Sequence, residues 1–180
     1  MANLKLKNPS GGSLNLVSAD GASDLTVTFP ATTGTAMVSG NMPAFSVYRG
    51  GSNQNITTQT NTKVQLNTEE FDTANAFDST TNYRFTPQVA GYYQISGHIE
   101  VDGTSVTRCF ATIYKNGSQY KGGNDGVQTA AYRAVVTALV YLNGSTDYIE
   151  LYGWAQGSSL NFYNASGVST YLTGVLVRAA

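Results

Sequence analysis

Residues 83–93 read Tyr83-Arg84-Phe85-Thr86-Pro87-Gln88-Val89-Ala90-Gly91-Tyr92-Tyr93. Two β-favouring runs, 83–86 and 91–101, meet here across a Pro- and Gly-punctuated join. In the second run Tyr93, Ile95, Ile99 and Val101 alternate with Gln94, Ser96, His98 and Glu100, the period of two of a strand with one face inward. Working outward, 44–49, 63–66, 107–115, 127–142, 147–154 and 171–178 are filled by Thr, Val, Tyr, Phe and Ile, which suit a pleated, half-buried surface. Asp102-Gly103, Asn116-Gly117, Asn124-Asp125-Gly126 and Asn143-Gly144 supply turn chemistry between them. Helical period is absent; 130–138 is Ala-rich, but Val135-Val136 and Tyr141 favour a strand. About eight strands at turn-limited spacing predict an all-β sandwich or jelly roll.

Composition narrows the function classes. The 180 residues make one domain, or one domain and an arm. Charged residues are 12%, against about a quarter in ordinary soluble domains, while 41% apolar and 11% aromatic residues can build a core. The surface is therefore expected to be uncharged and polar, rich in Thr, Asn, Ser and Gln. A net charge of -1 leaves no basic footprint for a phosphate backbone, so no nucleic-acid partner is expected. No run of about 18 apolar residues occurs, and the first residues lack a hydrophobic signal core, so no membrane association is expected. The single Cys109 excludes an intrachain disulfide. A zinc site or His-based triad is not expected from the single His98.

Residues 1–40 differ from 41–180. Their apolar residues, Leu4, Leu6, Leu14, Leu16, Leu25, Val27 and Phe29, sit in three short alternating runs separated by Asn8-Pro9-Ser10-Gly11-Gly12 and Asp20-Gly21. They are too few for an independent core. The segment reads as an arm that orders against a partner or a sister chain, with those seven residues as the anchoring set.

Catalytic constellations are hard to find. Glu69-Glu70 with Asp72 and Asp78, and Glu100 with Asp102, are the densest carboxylates. Glycoside hydrolysis needs two carboxyls facing across a cleft, whereas adjacent acids in a strand point to opposite faces. Thr146-Asp147-Tyr148-Ile149-Glu150 offers oxygen ligands without EF-hand spacing. No nucleophile motif accompanies His98. No catalytic residues, cofactor or metal are therefore expected. Trp154, Phe162, Tyr163 and Tyr120 lie near Gly-, Ser- and Asn-rich stretches. The first three are candidate receptor contacts, since exposed aromatics stack on sugars or proteins.

Taken in order, several segments of 44–180 resemble the C1q/TNF-like jelly-roll head of bacteriophage virion proteins. Ala44-Phe45-Ser46-Val47 resembles its opening strand, and the quoted 83–93 segment its aromatic–Pro–Gly–Tyr hallmark. Ala111-Thr112-Ile113-Tyr114-Lys115-Asn116-Gly117 is similar to its central strand and turn. Asp147-Tyr148-Ile149-Glu150-Leu151 and Leu172-Thr173-Gly174-Val175-Leu176 resemble its last two strands, although Leu172 stands where the family has an aromatic. The resemblance implies a ten-strand, two-sheet sandwich, a homotrimer about a three-fold axis, and no enzymatic activity. It implies trimer-interface roles for Tyr93, Ile95, Leu172 and Leu176.

The resulting expectation is a virion-surface decoration or cement protein, a trimeric head held by its arm to the major capsid protein or another virion component. A fibre protein needs a shaft, and 1–40 holds no heptad, β-helix or collagen-like repeat. The alternative is a tail-fibre or tailspike tip that binds a host-surface receptor or glycan.

Overall fold

The computed structural model describes residues 3–7, 9–17, 42–125, 132–164 and 167–180. The chain divides into two compact units, Met1–Gly34 and Thr35–Ala180; the expected boundary at 40/41 falls among residues not described. In the first unit, β1 (Asn3–Lys7) and β2 (Ser13–Val17) pair antiparallel, with Leu4 opposite Leu16 and Leu6 opposite Leu14. Of the expected anchoring residues, Leu6 is exposed, and Leu25, Val27 and Phe29 lie outside the described residues.

The second unit contributes β3 (Ala44–Tyr48), β4 (Gln54–Asn55), β5 (Thr62–Lys63), β6 (Thr68–Asp72), β7 (Phe77–Asp78), β8 (Arg84–Phe85), β9 (Gly91–Lys115), β10 (Ser118–Asp125), β11 (Tyr132–Leu142), β12 (Ile149–Phe162) and β13 (Tyr171–Ala179). All pairings among them are antiparallel. No helix occurs among the described residues. The long β9 serves both layers. Its first part pairs with β13 on one side and β11 on the other, giving a layer ordered β6-β3-β13-β9-β11. Its second part pairs with β10 and β12, and β12 goes on to β4, β5 and β8.

Two strand boundaries differ from the sequence expectation for one reason. Asp102-Gly103 lies inside β9 rather than in a turn, because β12 continues to Phe162 and pairs with β9 there, Asn161 opposite Asp102. A turn dipeptide reports what the backbone can do locally, and a long partner strand overrides it. At Asn116-Gly117 the expectation holds: φ is 52° and 75°, the paired left-handed values of a tight hairpin, joining β9 to β10.

The 83–93 segment shows why its residues occur at this spacing. Phe85 is fully buried and stacks on Phe45, ring centroids 4.2 Å apart. Phe45 also stacks on Phe77 at 5.7 Å, and Phe85 meets Tyr93 edge-on at 5.5 Å. Pro87 is buried at the join. At Gly91 a Cβ would run into the Arg178 carbonyl and the Leu176 side chain, so only glycine lets β9 start beside β13. The Tyr93 hydroxyl donates back to the Val89 carbonyl at 2.7 Å, closing the corner. Ile95, Ile99, Cys109, Ala111, Ile113, Val136, Val140, Leu151, Leu172 and Leu176 complete the interior between the layers.

Candidate functional site

Tyr93, Ile95, Leu172 and Leu176, expected at a trimer interface, lie in the core of the single chain at 0–1% exposure. This corrects the assignment: side chains enclosed between the two layers cannot reach another copy. Strand alternation explains the error, since a shift of one residue turns every side chain to the opposite face. The neighbours one position along are the outward ones.

On β9 these are Tyr92, Gln94, Ser96 and His98, and on β11 they are Val135, Thr137, Leu139 and Tyr141. On β13 they are Tyr171, Thr173 and Val175. The ladder sets them in rows. Tyr92 faces Tyr141 with ring centroids 5.4 Å apart. Gln94 has Leu139 on one side and Val175 on the other. Ser96 lies between Thr137 and Thr173, and the row continues through Ser46 to the exposed Phe71. His98 lies between Val135 and Tyr171, its ring stacked on Tyr171 at 5.4 Å and its Nδ1 donating to the Ser169 carbonyl. The polar members bond to one another: Gln94 Nε2 donates to Thr137 Oγ1 at 2.7 Å, and Thr137 Oγ1 donates to the Ile95 carbonyl at 3.1 Å. Between the Tyr92 and His98 rows the outward positions of the middle three strands carry one charge, the exposed Arg178 opposite Tyr92, while Leu139 is 54% and Val177 58% exposed. Exposed apolar groups this contiguous mark an interaction surface. Its sequence signal was the run Ala138-Leu139-Val140-Tyr141-Leu142, apolar on both alternating faces.

Charges sit at the rim of this face. Arg133 Nε donates to Glu100 Oε2 at 3.1 Å, and Ser169 Oγ donates to the same oxygen at 2.5 Å. Burial pushes the Glu100 pKa up, but these hydrogen bonds and the Arg133 charge outweigh it and hold the carboxyl below its ordinary value.

The outer face of the second layer carries a different feature. Trp154 on β12 lies opposite Phe110 on β9, ring centroids 4.8 Å apart and tilted by 36°. Together with Asn61, Thr112, Gln119, Gly122 and Gly123 they line an open groove of about 330 Å³. Arg108 lies over the Phe110 ring at 4.6 Å. Among the three expected receptor contacts, Trp154 is half-buried here and Tyr163 is exposed. Phe162 is fully buried, because its ring fills the space over Gly153 in the core; that assignment is corrected. Tyr163 follows β12 and lies nine positions from Trp154, roughly 30 Å of extended chain, so the fold does not bring them together. Phe110, Asn61, Thr112 and Gln119 were missed, since nothing in a sequence tells which strands β12 and β10 will flank.

The carboxylates singled out earlier have local partners. Asp72 accepts from the amides of Ala74, Ala76 and Phe77, and Glu70 accepts from Ser46 Oγ at 2.5 Å. The Thr81 amide, with those of Thr80 and Asn82, holds the Asp78 carboxyl far below the ordinary range. Asp147 is held low by the Asn116 amide and by Lys115, 3.0 Å away. Glu150 pairs with Lys63 at 2.5 Å. Among the described residues no cluster of His, Cys, Asp or Glu is grouped to hold a metal ion.

No protein-family model and no curated protein matches the chain. Solved structures do. Murine APRIL at pH 8.0 aligns with a TM-score of 0.54 and 12% identity over 76% of this chain and 99% of that one. The Eiger TNF of S. frugiperda aligns with a TM-score of 0.58 and 9% identity over 77% of this chain and 93% of that one. At such identities the likeness establishes the fold: this chain is an all-β jelly-roll sandwich of the C1q/TNF-like kind.

Proposed function

We propose that the chain is a non-enzymatic structural protein of a bacteriophage virion, a homotrimeric head carried on the particle surface as decoration or cement. The observation that carries the oligomer is the charge-poor outer face of β13, β9 and β11, where Tyr92, Val135, Leu139, Tyr141 and Val175 are all exposed in the single chain. Packing three such faces about an axis removes this apolar surface from water in a closed assembly. The phage setting rests on the sequence resemblance of 44–180 and on the jelly-roll fold. Attachment falls to the separate N-terminal unit, whose β1–β2 ladder aligns Leu4 with Leu16 and Leu6 with Leu14. Three linked arms make weak single contacts collectively strong.

Deletion of residues 1–40 tests the assignment. The remaining head is expected to stay trimeric by size-exclusion chromatography with light scattering, but to lose binding to particles. Binding of the full chain is expected to change little with salt, apart from what Lys5 and Lys7 contribute. A truncated head that still decorates particles would sink the arm model. The second reading, a fibre or spike tip that recognises a host-surface glycan, is favoured by the Phe110–Trp154 groove.

A further inference from the structure

We propose that the groove on the outer face of the second layer is a binding site for an uncharged pyranose sugar. Three properties of the groove point to that chemistry. Phe110 and Trp154, tilted by 36° at 4.8 Å, offer a bent aromatic wall, which suits the apolar C–H face of a sugar ring rather than a flat, extended peptide. The polar lining is made of uncharged groups, the Asn61 and Gln119 amides and the Thr112 hydroxyl, which donate and accept in the way that sugar hydroxyls require. No lining residue is ionisable, and the Arg108 guanidinium is stacked on the Phe110 ring at 4.6 Å rather than lining the groove.

Thr112, 5% exposed overall, lines the groove beside the exposed Asn61 and Gln119. The two glycines divide the work. A Cβ at Gly123 would fall on the Val135 carbonyl, so that glycine is required by the packing of β10 against β11. At Gly122 a Cβ would meet nothing within 4 Å, so its missing side chain serves the open space and not the packing. The volume, about 330 Å³, is at the small end of ligand sites, which span about 300–1,000 Å³, and fits a mono- or disaccharide.

The assignment deepens the recognition reading and rests on it for its biological sense. Its own test is in solution. Trp154 is the only tryptophan of the chain, so intrinsic fluorescence of the full-length protein reports the groove directly. Titration with glucose, galactose, mannose, N-acetylglucosamine and their disaccharides is expected to give a saturable shift with at least one of them. N-acetylneuraminic acid and inorganic phosphate are expected to give none. Calorimetry then compares Gly122→Leu, which fills the groove without touching the core, and Phe110→Ala, which removes half of the aromatic wall. Each is expected to weaken the sugar about tenfold, with the melting temperature of Gly122→Leu unchanged. Silence with every neutral sugar, or wild-type affinity in Gly122→Leu, overturns the proposal. Sugar binding that does not compete with adsorption of particles to cells would leave the site standing and sink the recognition reading alone.

Discussion

Leu139→Asp separates a surface built for partners from a surface merely tolerated. Leu139 is 54% exposed and sits opposite Gln94, with Tyr141 and Thr137 outward on either side along β11. Full burial of a leucine contributes about 1.5–3 kcal/mol, so covering its exposed half in an interface contributes about 1 kcal/mol per copy. A carboxylate in its place is desolvated with no cation directly beside it: Arg133 already pairs with Glu100 and Lys115 with Asp147, and Arg178 lies in the next row, two strands across. An uncompensated charge in such a place costs several kcal/mol more. Each copy carries the substitution, so a three-fold assembly loses roughly 10 kcal/mol, where about 1.4 kcal/mol is a factor of ten in association. We expect Leu139→Asp to elute as a monomer by size-exclusion chromatography with light scattering, at concentrations where the parent is a trimer. The folded monomer is expected to melt within a few degrees of a dissociated parent, since surface changes of this kind stay within about 0.5 kcal/mol. A Leu139→Asp trimer with parental dissociation behaviour would refute the reasoning, as would a parent that is monomeric throughout.

Two further outcomes follow from the core. Phe85→Ala removes a fully buried ring from the Phe45–Phe77–Tyr93 cluster and is expected to cost about 3–5 kcal/mol in urea unfolding; a loss below about 1 kcal/mol would mean that the cluster is not close-packed. Burial pushes the Tyr93 hydroxyl up to about 12, against about 10 in an unfolded chain. Its neutral form is therefore favoured by folding, so its contribution is complete below pH of about 10 and is lost as pH rises towards 12. Tyr93→Phe is expected to lose about 0.5–1.5 kcal/mol at neutral pH, with its hydrogen bond to Val89, and to melt with less dependence on pH above 10; an unchanged alkaline slope in circular dichroism would remove Tyr93 from that transition.

Much of the architecture was legible because strands write a period of two. The segment 83–93 showed two strands and their join, and Asn116-Gly117 showed a hairpin whose positive φ values are there. The carboxylates were read less well: Glu69, Glu70 and Asp72 lie in β6 and Asp78 in β7, where Asp72 and Asp78 accept backbone amides of the turns that follow. Less legible were the short strands β4, β6 and β7, where few residues leave little periodicity to detect, and β10, whose Gly122-Gly123 reads as a turn yet pairs with β9. Trp154 could be singled out as an aromatic near polar loops, but its partner Phe110 lies on another strand, and only the antiparallel register of β9 and β12 sets them side by side.

By itself, then, the chain's sequence determined that it is all-β, poor in charge and built on an aromatic core, because residue type and alternation act locally. The tertiary structure decided which face is which. Tyr93 and Tyr92 are neighbours of the same kind in the sequence, and one is enclosed while the other is exposed. Alternation defines two faces but does not label them; the label comes when a second layer covers one of them, which depends on strands far apart in the chain.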